Sequence, residues 1–352
     1  MSKMQEILEN ALVDSWVRHF PRSGRQINQA HETDAELIEV AGLPDHYLAI
    51  TTDTVAEEIT EGLYQDPHTM GWVTIMANLS DLAAVGAEPL GLVVSVCIEP
   101  SRDAAFSDGI AQGMADACRD AGVFILGGDT NSTRVISLTG CAIGLVPRKE
   151  KITRRGCNVG DVVFISGGVG IGNALGLARL AKLPPERFPE RLYRPCARLQ
   201  EGQLVRRYAS CCMDTSDGLL ATLDQLMRLN DLGFVLECNW PKLLTRPALE
   251  FCAGTGAPPW LMTAGPHGEF ELAFTVPEAR REAFLEAAHA LGLFPIRIGT
   301  VQETPALTLA LDSGERVEVD MAPLRNLLQT VQGDLSRYLE EFRGWGRKWG
   351  LE

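Results

Sequence analysis

The sequence lacks any apolar run that approaches the roughly 18–20 residues of a membrane-spanning helix. It also lacks an excess of positive charge, because 46 acidic residues outnumber 32 basic ones and give a net charge of −14. A nucleic acid or an anionic membrane would need a basic surface to bind, so we expect neither as a partner. The acidic, amphipathic first residues do not resemble a signal peptide, and we expect a cytoplasmic protein.

Several motifs of common enzyme classes are also missing. There is no Gly-x-Ser-x-Gly nucleophile elbow, no His-Glu-x-x-His zinc motif and no Cys-x-x-Cys pair. The nine cysteines lie mostly in apolar stretches, which indicates buried, reduced thiols. The glycine-rich segment 167–176 has neither the Lys-Ser/Thr of a P-loop nor the later acidic residue of a dinucleotide site. We therefore assign its glycines to turns and close packing.

The length and the order of predicted elements indicate two domains of mixed α/β (α+β) type. A chain of 352 residues with 45% apolar residues is long enough to bury two hydrophobic cores. The first half alternates apolar strands with helices predicted at 67–86 and 101–121, and a basic, glycine-punctuated connector follows. We therefore predict an N-terminal domain at 1–150, a C-terminal α/β domain at 151–330 and a helical tail at 331–352.

Aspartates recur where predicted strands end or helices begin. They are Asp34, Asp53, Asp81, Asp129, Asp214 and Asp217. We expect them to converge at one end of a sheet, where their repulsion requires a hard cation such as Mg²⁺. Gly127 and Gly128 before Asp129 predict a tight turn whose backbone N–H groups approach phosphate. For any single aspartate, capping of a helix or turn is the simpler explanation.

A Ser-Asp-Gly motif and an arginine pair indicate phosphate binding only when they are considered together with the aspartates. Ser216 and Asp217 precede Gly218 and a predicted helix. This arrangement is typical either of a helix N-cap or of a phosphate and metal at a positive helix end, and the spacing favours neither. Arg154 and Arg155 on the connector can clamp a phosphate, although a solvated pair explains them better when they are taken alone.

The order of these motifs resembles the thiamine-monophosphate kinase family. That family belongs to the PurM-like superfamily, with aminoimidazole-ribonucleotide synthetase, selenophosphate synthetase and the hydrogenase-maturation ATPase. The most specific feature is the pairing of NLSDLAAVGA at 78–87 with MDTSDG at 213–218. The matching segments keep the family's order over more than two thirds of the chain, at 51–55, 66–91, 125–131, 153–170, 193–202, 212–220 and 270–277.

The resemblance implies two α/β domains, with the N-terminal domain paired to its copy across a two-fold axis and ATP between the domains. It implies phosphoryl transfer from Mg-ATP to thiamine phosphate, with Asp129, Asp217 and Arg154 as catalytic residues. The implied magnesium ligands are Asp34, Thr51, Thr52, Asp53, Asp81, Asp129, Asp214 and Asp217. The implied ATP-binding residues are Gly127, Gly128, Asp129, Thr130, Arg154 and Ser216. Thr33 replaces the first residue of the family's Asp-Asp motif.

The acceptor half of the site departs from the family. Thr60 stands where the family has a substrate-contacting His, and the family's closing His-Phe is absent. Gly268 stands where the family has a Glu, unless the register shifts by one residue to Glu269. These losses predict that thiamine monophosphate is a poor substrate. The alternatives are a different acceptor, such as an amide or carboxyl oxygen, and a non-catalytic nucleotide-binding protein, which the retained aspartates disfavour. The candidate acceptor contacts are Thr60, His267, Glu269 and Trp345, with a solvated loop position as the alternative for His267.

Overall fold

The computed structural model describes residues 3–351, which form two β-sheets with helices packed on them. This arrangement confirms the predicted α/β class. The strands of the first sheet are β1 (Glu36–Ile38), β2 (His46–Val55), β3 (Glu88–Ile98), β4 (Ile125–Ser132) and β5 (Ser137–Pro147). Those of the second are β6 (Val162–Ile165), β7 (Cys211–Asp214), β8 (Gly233–Glu237), β9 (Leu272–Val276), β10 (Ile296–Gln302), β11 (Leu307–Ala310) and β12 (Arg316–Val319).

Helices connect the strands and cover the sheets. They are α1 (Leu8–Val17), α2 (Glu57–Thr60), α3 (Pro67–Ala84), α4 (Ala104–Ala121), α5 (Ile171–Leu180), α6 (Leu199–Tyr208), α7 (Leu219–Asn230), α8 (Trp240–Leu243), α9 (Arg246–Thr255), α10 (Leu261–Ala264), α11 (Arg281–Ala290), α12 (Ala322–Arg325), α13 (Leu327–Thr330) and α14 (Leu335–Trp349). Among the described helices, none combines the length and the apolar character that crossing a membrane requires. The domain limits at 150 and 330 stay predictions.

Helix α3 is the central element of the molecule because it contacts both halves. Asp66 caps its N-terminus by accepting a hydrogen bond from the Thr69 backbone N–H at 3.0 Å, and Pro67 occupies its first turn. The helix packs on the first sheet, whose strand order is β1-β2-β5-β3-β4, and it also touches β7 and α6. Nearly all of its residues are buried, so its polar side chains must find partners inside the protein.

The second sheet brings several chain turns to one edge. Its strand order is β12-β11-β8-β10-β6-β9-β7, and β8 pairs with β11 in parallel while the other neighbours are antiparallel. Strands β6, β7, β8 and β11 therefore run in the same direction. Asp214 ends β7 and the glycine-rich turn 167–170 follows β6, so both lie at the same edge of the sheet.

The predicted tight turn at Gly127 and Gly128 is wrong. Both glycines lie inside β4, which pairs in parallel with β3 along its whole length. A Cβ atom on Gly128 would lie 2.1 Å from the Val94 carbonyl oxygen, so glycine permits a close approach of β3 at this position. The Gly-Gly pair therefore reflects the close packing of two strands and not a turn.

One face of the first sheet is not fully covered within a single chain. Along β5, every second residue from Leu138 to Val146 is buried on the side of α3, while the alternate residues on the opposite face are only partly buried. A contiguous exposed apolar surface of this kind is typical of a protein interface. The large exposed apolar side chains near β3 and β4 are Leu90, Val93, Phe124, Ile125, Leu126 and Val135.

The N-terminal segment contacts the second half of the chain. Asn10 on α1 donates a hydrogen bond to the Gln225 side chain on α7 at 3.1 Å. Arg228, also on α7, donates to Glu6 at 2.7 Å. Residues that the sequence assigns to the domain at 1–150 therefore help to cover the C-terminal half.

Helices α3 and α4 approach each other closely at two glycines. A Cβ atom on Gly71 would lie 2.0 Å from the Ile110 carbonyl oxygen, and one on Gly113 would lie 2.0 Å from the His68 carbonyl oxygen. Close-packed interiors do not accommodate contacts this short without a backbone shift. The contact between the two helices therefore requires glycine at both positions.

We expect Gly113→Ala to lower the free energy of unfolding by about 1–3 kcal/mol, because the added methyl group must push α3 and α4 apart. Gly344→Ala is the matched control, since Gly344 lies in α14 and a methyl group added there would meet no atom within 4 Å. That control should be neutral or stabilising by up to about 1 kcal/mol. Urea denaturation followed by circular dichroism measures both. A Gly113→Ala protein as stable as the parent would contradict this packing.

Candidate active site

Three aspartates from distant parts of the chain meet between the two halves. Asp34 precedes β1, Asp81 lies near the end of α3 and Asp214 ends β7. One carboxylate oxygen from each lies within 4.8 Å of the others. The connector residue Arg154 donates from Nη2 to Asp34 Oδ1 at 2.9 Å, so one positive charge lies beside three acidic groups. All four of these residues are candidates that the sequence predicts.

Hydroxyl groups hold two of these carboxylates in place. Ser80 on α3 donates a hydrogen bond to Asp214 at 2.7 Å. Thr51 on β2 donates to Asp81. Both contacts involve α3, so the packing of this helix between the halves sets the geometry of the aspartate cluster.

A third polar residue of α3, Asn78, holds the backbone of β2 at Asp53. Asn78 accepts a hydrogen bond from the Asp53 backbone N–H at 2.9 Å and donates to the Asp53 carbonyl oxygen at 3.2 Å. A Cβ atom on Gly140 would lie 2.3 Å from Asn78 Nδ2, so this glycine on β5 leaves room for the amide. Thr52, a predicted magnesium ligand, instead donates its hydroxyl to the Gly140 carbonyl oxygen at 2.8 Å.

Burial and mutual repulsion raise the pKa values of the clustered carboxyl groups. Burial, followed by the charges of Asp214 and Asp34, raises the pKa of Asp81 well above its ordinary value. Burial, with Asp34 next, raises the pKa of Asp214 to about 7. Burial alone would lower the pKa of Arg154, but Asp34 raises it overall and the guanidinium stays charged. A cluster in which one arginine does not balance the carboxylates is suited to a cation.

Several buried polar atoms of the cluster have no hydrogen-bond partner among residues 3–351. They are Thr33 Oγ1, Asp34 Oδ2 and Arg154 Nε. Carboxylate and hydroxyl oxygens are ligands that Mg²⁺ accepts, and a free guanidinium N–H suits a phosphate oxygen. The residues present therefore fit a magnesium ion beside a phosphate group.

Three further predicted residues lie around the cluster. Asp53 is partly exposed; burial raises its pKa and the nearby charge of Asp217 raises it further. Ser216 donates to Asp214 at 3.3 Å. Neither Ser216 nor Asp217 caps α7, because Gly218 precedes the helix and no side chain caps it. The N-cap explanation of this motif is therefore wrong, and phosphate and metal binding is the explanation that is left.

The remaining ATP-site predictions are not joined to this cluster within one chain. Gly127, Gly128, Asp129 and Thr130 lie on the exposed strand β4, where Asp129 accepts a hydrogen bond from Asn131 at 2.7 Å. Strands β3 and β5 separate β4 from β2. At about 4.8 Å per strand, Asp129 lies roughly 14 Å from β2 along the sheet. The strand order therefore keeps Asp129 away from the other aspartates.

Two of the candidate acceptor contacts already have partners. Thr60 is exposed, and its hydroxyl donates to the Ala56 carbonyl oxygen at 2.7 Å. His267 packs against the rings of Tyr64 and Tyr193, and its Nε2 lies 3.2 Å from the Tyr64 hydroxyl. Burial lowers the pKa of His267 to about 4. His267 is therefore a neutral member of an aromatic cluster and not a solvated loop residue.

The segment after His267 also lies inside the protein. Glu269 is buried and accepts hydrogen bonds from the backbone N–H groups of Gly170 and Gly172 at 2.7 and 2.9 Å, at the start of α5. Burial raises its pKa to about 8. A Cβ atom on Gly268 would lie 1.6 Å from the Thr215 carbonyl oxygen, so no side chain fits there unless the backbone shifts.

The C-terminal tail forms an aromatic cluster of its own. Trp345 packs against Trp349 with ring centroids 5.7 Å apart, and Trp349 packs against Trp260 at 5.5 Å. The Lys348 ammonium lies 3.8 Å from the centroid of the Trp345 ring. The structure thus places Trp345 in the tail cluster and does not join it to the aspartates.

Three residues around the site, Ser80, Tyr64 and Tyr193, are not predicted from the sequence. Ser80 directly precedes Asp81 and follows Asn78 by two residues on a largely apolar helix, and this spacing is the signal that could have found it. The two tyrosines come from irregular segments on either side of the predicted domain limit. No spacing in the sequence indicates that they meet His267.

The chain matches known proteins over most of its length. Residues 32–146 match the family model "AIR synthase related protein, N-terminal domain". The thiamine-monophosphate kinase of Archaeoglobus fulgidus is 34% identical over 213 residues, which are 60% of this chain and 69% of that protein. The thiamine-monophosphate kinase of Escherichia coli strain K12 is 29% identical over 284 residues, which are 78% of this chain and 84% of that protein.

Solved structures show the same fold. The thiamine-monophosphate kinase from Stenotrophomonas maltophilia K279a has a TM-score of 0.66 and 25% identity, over 87% of this chain and 96% of that chain. AaThiL complexed with AMPPCP and TMP has a TM-score of 0.70 and 24% identity, over 87% of this chain and 92% of that chain. The sequence identity to relatives, over more than two thirds of their length, agrees with the shared fold, and the chain belongs to the thiamine-monophosphate kinase family.

Proposed function

We propose that this chain is a Mg-ATP-dependent kinase that phosphorylates thiamine monophosphate to thiamine diphosphate. One observation carries the proposal: Asp34, Asp81 and Asp214 meet beside Arg154 in a member of the thiamine-monophosphate kinase family. The relatives are named for that activity, and AaThiL forms a complex with AMPPCP and TMP. The acidic, unpaired oxygen atoms of the cluster support the need for magnesium.

The residues of this chain would bind, orient and neutralise the reacting phosphates. When bound, magnesium would supply Lewis-acid stabilisation of the transferring phosphoryl group. Asp34 orients Arg154, whose free Nε is available to a phosphate oxygen. The acceptor is a phosphate whose oxygen is already anionic, so the chain needs no general base. We place magnesium at Asp34, Asp81 and Asp214, with Thr51, Thr52, Asp53 and Asp217 as the outer positions that the resemblance implies.

We also propose that the active unit is a homodimer formed through the exposed β3–β4 side of the first sheet. The exposed side chains of Phe124, Ile125 and Leu126 support this interface. The dimer would also give Asp129 a role in the ATP site, although this residue lies roughly three strand spacings from the aspartate cluster of its own chain. In the proposed dimer, β4 of one copy contributes Gly127, Gly128, Asp129 and Thr130 to the ATP site of the other.

We place the protein in the cytoplasm. All nine cysteines lie in the described part of the chain and are free thiols, most of them buried. A reducing compartment keeps such thiols unpaired.

A different acceptor is the second candidate, and the acceptor half of the site favours it. The Thr60 hydroxyl is engaged by its own helix, and position 268 has no room for the family's Glu side chain. An amide or carboxyl oxygen would be the alternative target of the phosphoryl group.

We expect Asp81→Asn and Asp214→Asn each to lower ATP turnover by at least about 100-fold, because each removes a charge that binds magnesium. Thermal stability should stay the same or rise, since the substitution relieves repulsion among buried carboxyl groups. Asp108→Asn, on the exposed side of α4, is the control and should keep full activity. An ADP-release assay measures the turnover of each variant, and melting curves measure its stability. Parental turnover in Asp214→Asn would contradict the proposed site.

If the active unit is this homodimer, combining two inactive variants in one heterodimer should restore activity. Asp129→Asn and Asp214→Asn should each be inactive as homodimers. A purified heterodimer of the two, carrying different affinity tags, should recover about half of the parental activity because one of its two sites is complete. An inactive heterodimer would place Asp129 in its own chain's site, and a sedimentation mass near 38 kDa would reject the dimer altogether.

The acceptor is tested by steady-state kinetics with Mg-ATP and thiamine monophosphate, following thiamine diphosphate and ADP together. We expect equal amounts of both products. The kcat/KM value should be on the order of 100-fold or more below that of a relative that keeps the His and Glu, because two polar contacts are absent. ADP formation only with an amide-bearing or carboxylate acceptor would establish the second candidate instead.

A further inference from the structure

Glu58 has a carboxylate that the proposed mechanism does not use. It lies on α2, five residues after Asp53 on β2. Its Oε2 atom is buried and has no hydrogen-bond partner among residues 3–351, while the residue as a whole is partly exposed. A buried carboxylate oxygen without a partner is costly, so this atom is suited to accept a hydrogen bond from a group that arrives from outside the chain.

Glu58 lies on the segment that leads from Asp53, at the rim of the aspartate cluster, to Tyr64, whose backbone N–H donates to the Glu58 carbonyl oxygen. Asp53 and Asp217 are close enough that their charges add to burial in raising the pKa of Glu58 to about 7. On the other side, the charge of Glu58 raises the pKa values of the Tyr64 and Tyr193 hydroxyls, for which burial is the largest cause. Glu58 therefore lies on the segment that joins the rim of the cluster to Tyr64 and His267, on the acceptor side of the site.

Two hydrogen bonds fix the backbone of Glu58. Its carbonyl oxygen accepts hydrogen bonds from the backbone N–H groups of Leu63 at 2.8 Å and Tyr64 at 3.3 Å. The segment after α2 thus folds back onto Glu58. A recognition group needs this kind of support.

The other polar groups on the acceptor side already have partners. The Thr60 hydroxyl donates to its own helix, and the Tyr193 hydroxyl donates to the Gly268 carbonyl oxygen at 3.0 Å. His267 faces Tyr64, and Glu269 binds two backbone N–H groups. The Oε2 atom of Glu58, in contrast, has no hydrogen-bond partner among the described residues.

We propose that Glu58 determines acceptor specificity by binding the amino group of an aminopyrimidine ring, as in thiamine monophosphate. This inference rests on the proposed function. A carboxylate oxygen accepts a hydrogen bond from the exocyclic amine. Glu58 would supply a polar contact that the change to Thr60 removes.

The test compares thiamine monophosphate with oxythiamine monophosphate, in which an oxygen replaces the exocyclic amine. Calorimetry measures the binding of each to the full chain in the presence of Mg-AMPPCP. The parent should prefer the amine-bearing ligand by about 10-fold or more, and Glu58→Gly should lose that preference, with about 10–100-fold weaker binding of thiamine monophosphate. Glu57→Gln, at the exposed neighbouring position, is the matched control and should keep the preference. Mg-AMPPCP affinity should stay within about twofold in every variant.

The outcomes separate this inference from the proposed function. An unchanged preference in Glu58→Gly, or a parent that binds both ligands equally but still forms thiamine diphosphate, overturns the role of Glu58 alone. A preference that Glu58→Gly loses, in a parent that forms no thiamine diphosphate, overturns the proposed function and supports Glu58. A parent that binds neither ligand overturns both. Weakened Mg-AMPPCP binding in Glu58→Gly would show a structural role and also overturn the inference.

Discussion

The repulsion among three buried carboxyl groups is the constraint on which this structure depends. Asp34, Asp81 and Asp214 lie far apart in sequence, and bringing them within 4.8 Å of one another is unfavourable unless positive charge accompanies them. Arg154 supplies one such charge. The two halves of the chain are joined at this point, because α3 carries Asp81 and Ser80 while packing against both sheets. Binding a cation here would therefore stabilise the arrangement of the two halves as well as serve the proposed reaction.

Much of the fold and the centre of the site could be predicted from the sequence. The segments that form α3, α4 and the strands of the first sheet have the apolar patterns that predict these elements. Asp34, Asp81, Asp214 and Arg154 each lie within a motif that the sequence analysis identifies. The turn at Gly127 and Gly128 could not be predicted correctly, because a glycine that allows a close strand approach has the same sequence signal as one in a turn. Whether Asp129 reaches the other aspartates depends on strand order, which residue spacing does not determine.

The acceptor half was harder to predict for a physical reason. Its residues come from irregular segments whose contacts are made only when the two halves pack together. Tyr64, Tyr193 and His267 illustrate this, since each comes from a different part of the chain and none lies in a periodic element. Glu269 has the charge expected of a substrate contact but is buried against the start of α5. The position of Gly268 leaves no space for a side chain. A Glu at this position would therefore require a different backbone path, and not only a different side chain.

A crystal structure of the chain grown with Mg²⁺, AMPPCP and thiamine monophosphate tests the central claim most directly. We predict a magnesium ion about 2.1 Å from oxygens of Asp34, Asp81 and Asp214, with Arg154 on a phosphate of the nucleotide. Nucleotide and magnesium bound away from these aspartates, or bound with Asp34, Asp81 and Asp214 contacting neither ion nor phosphate, would contradict it.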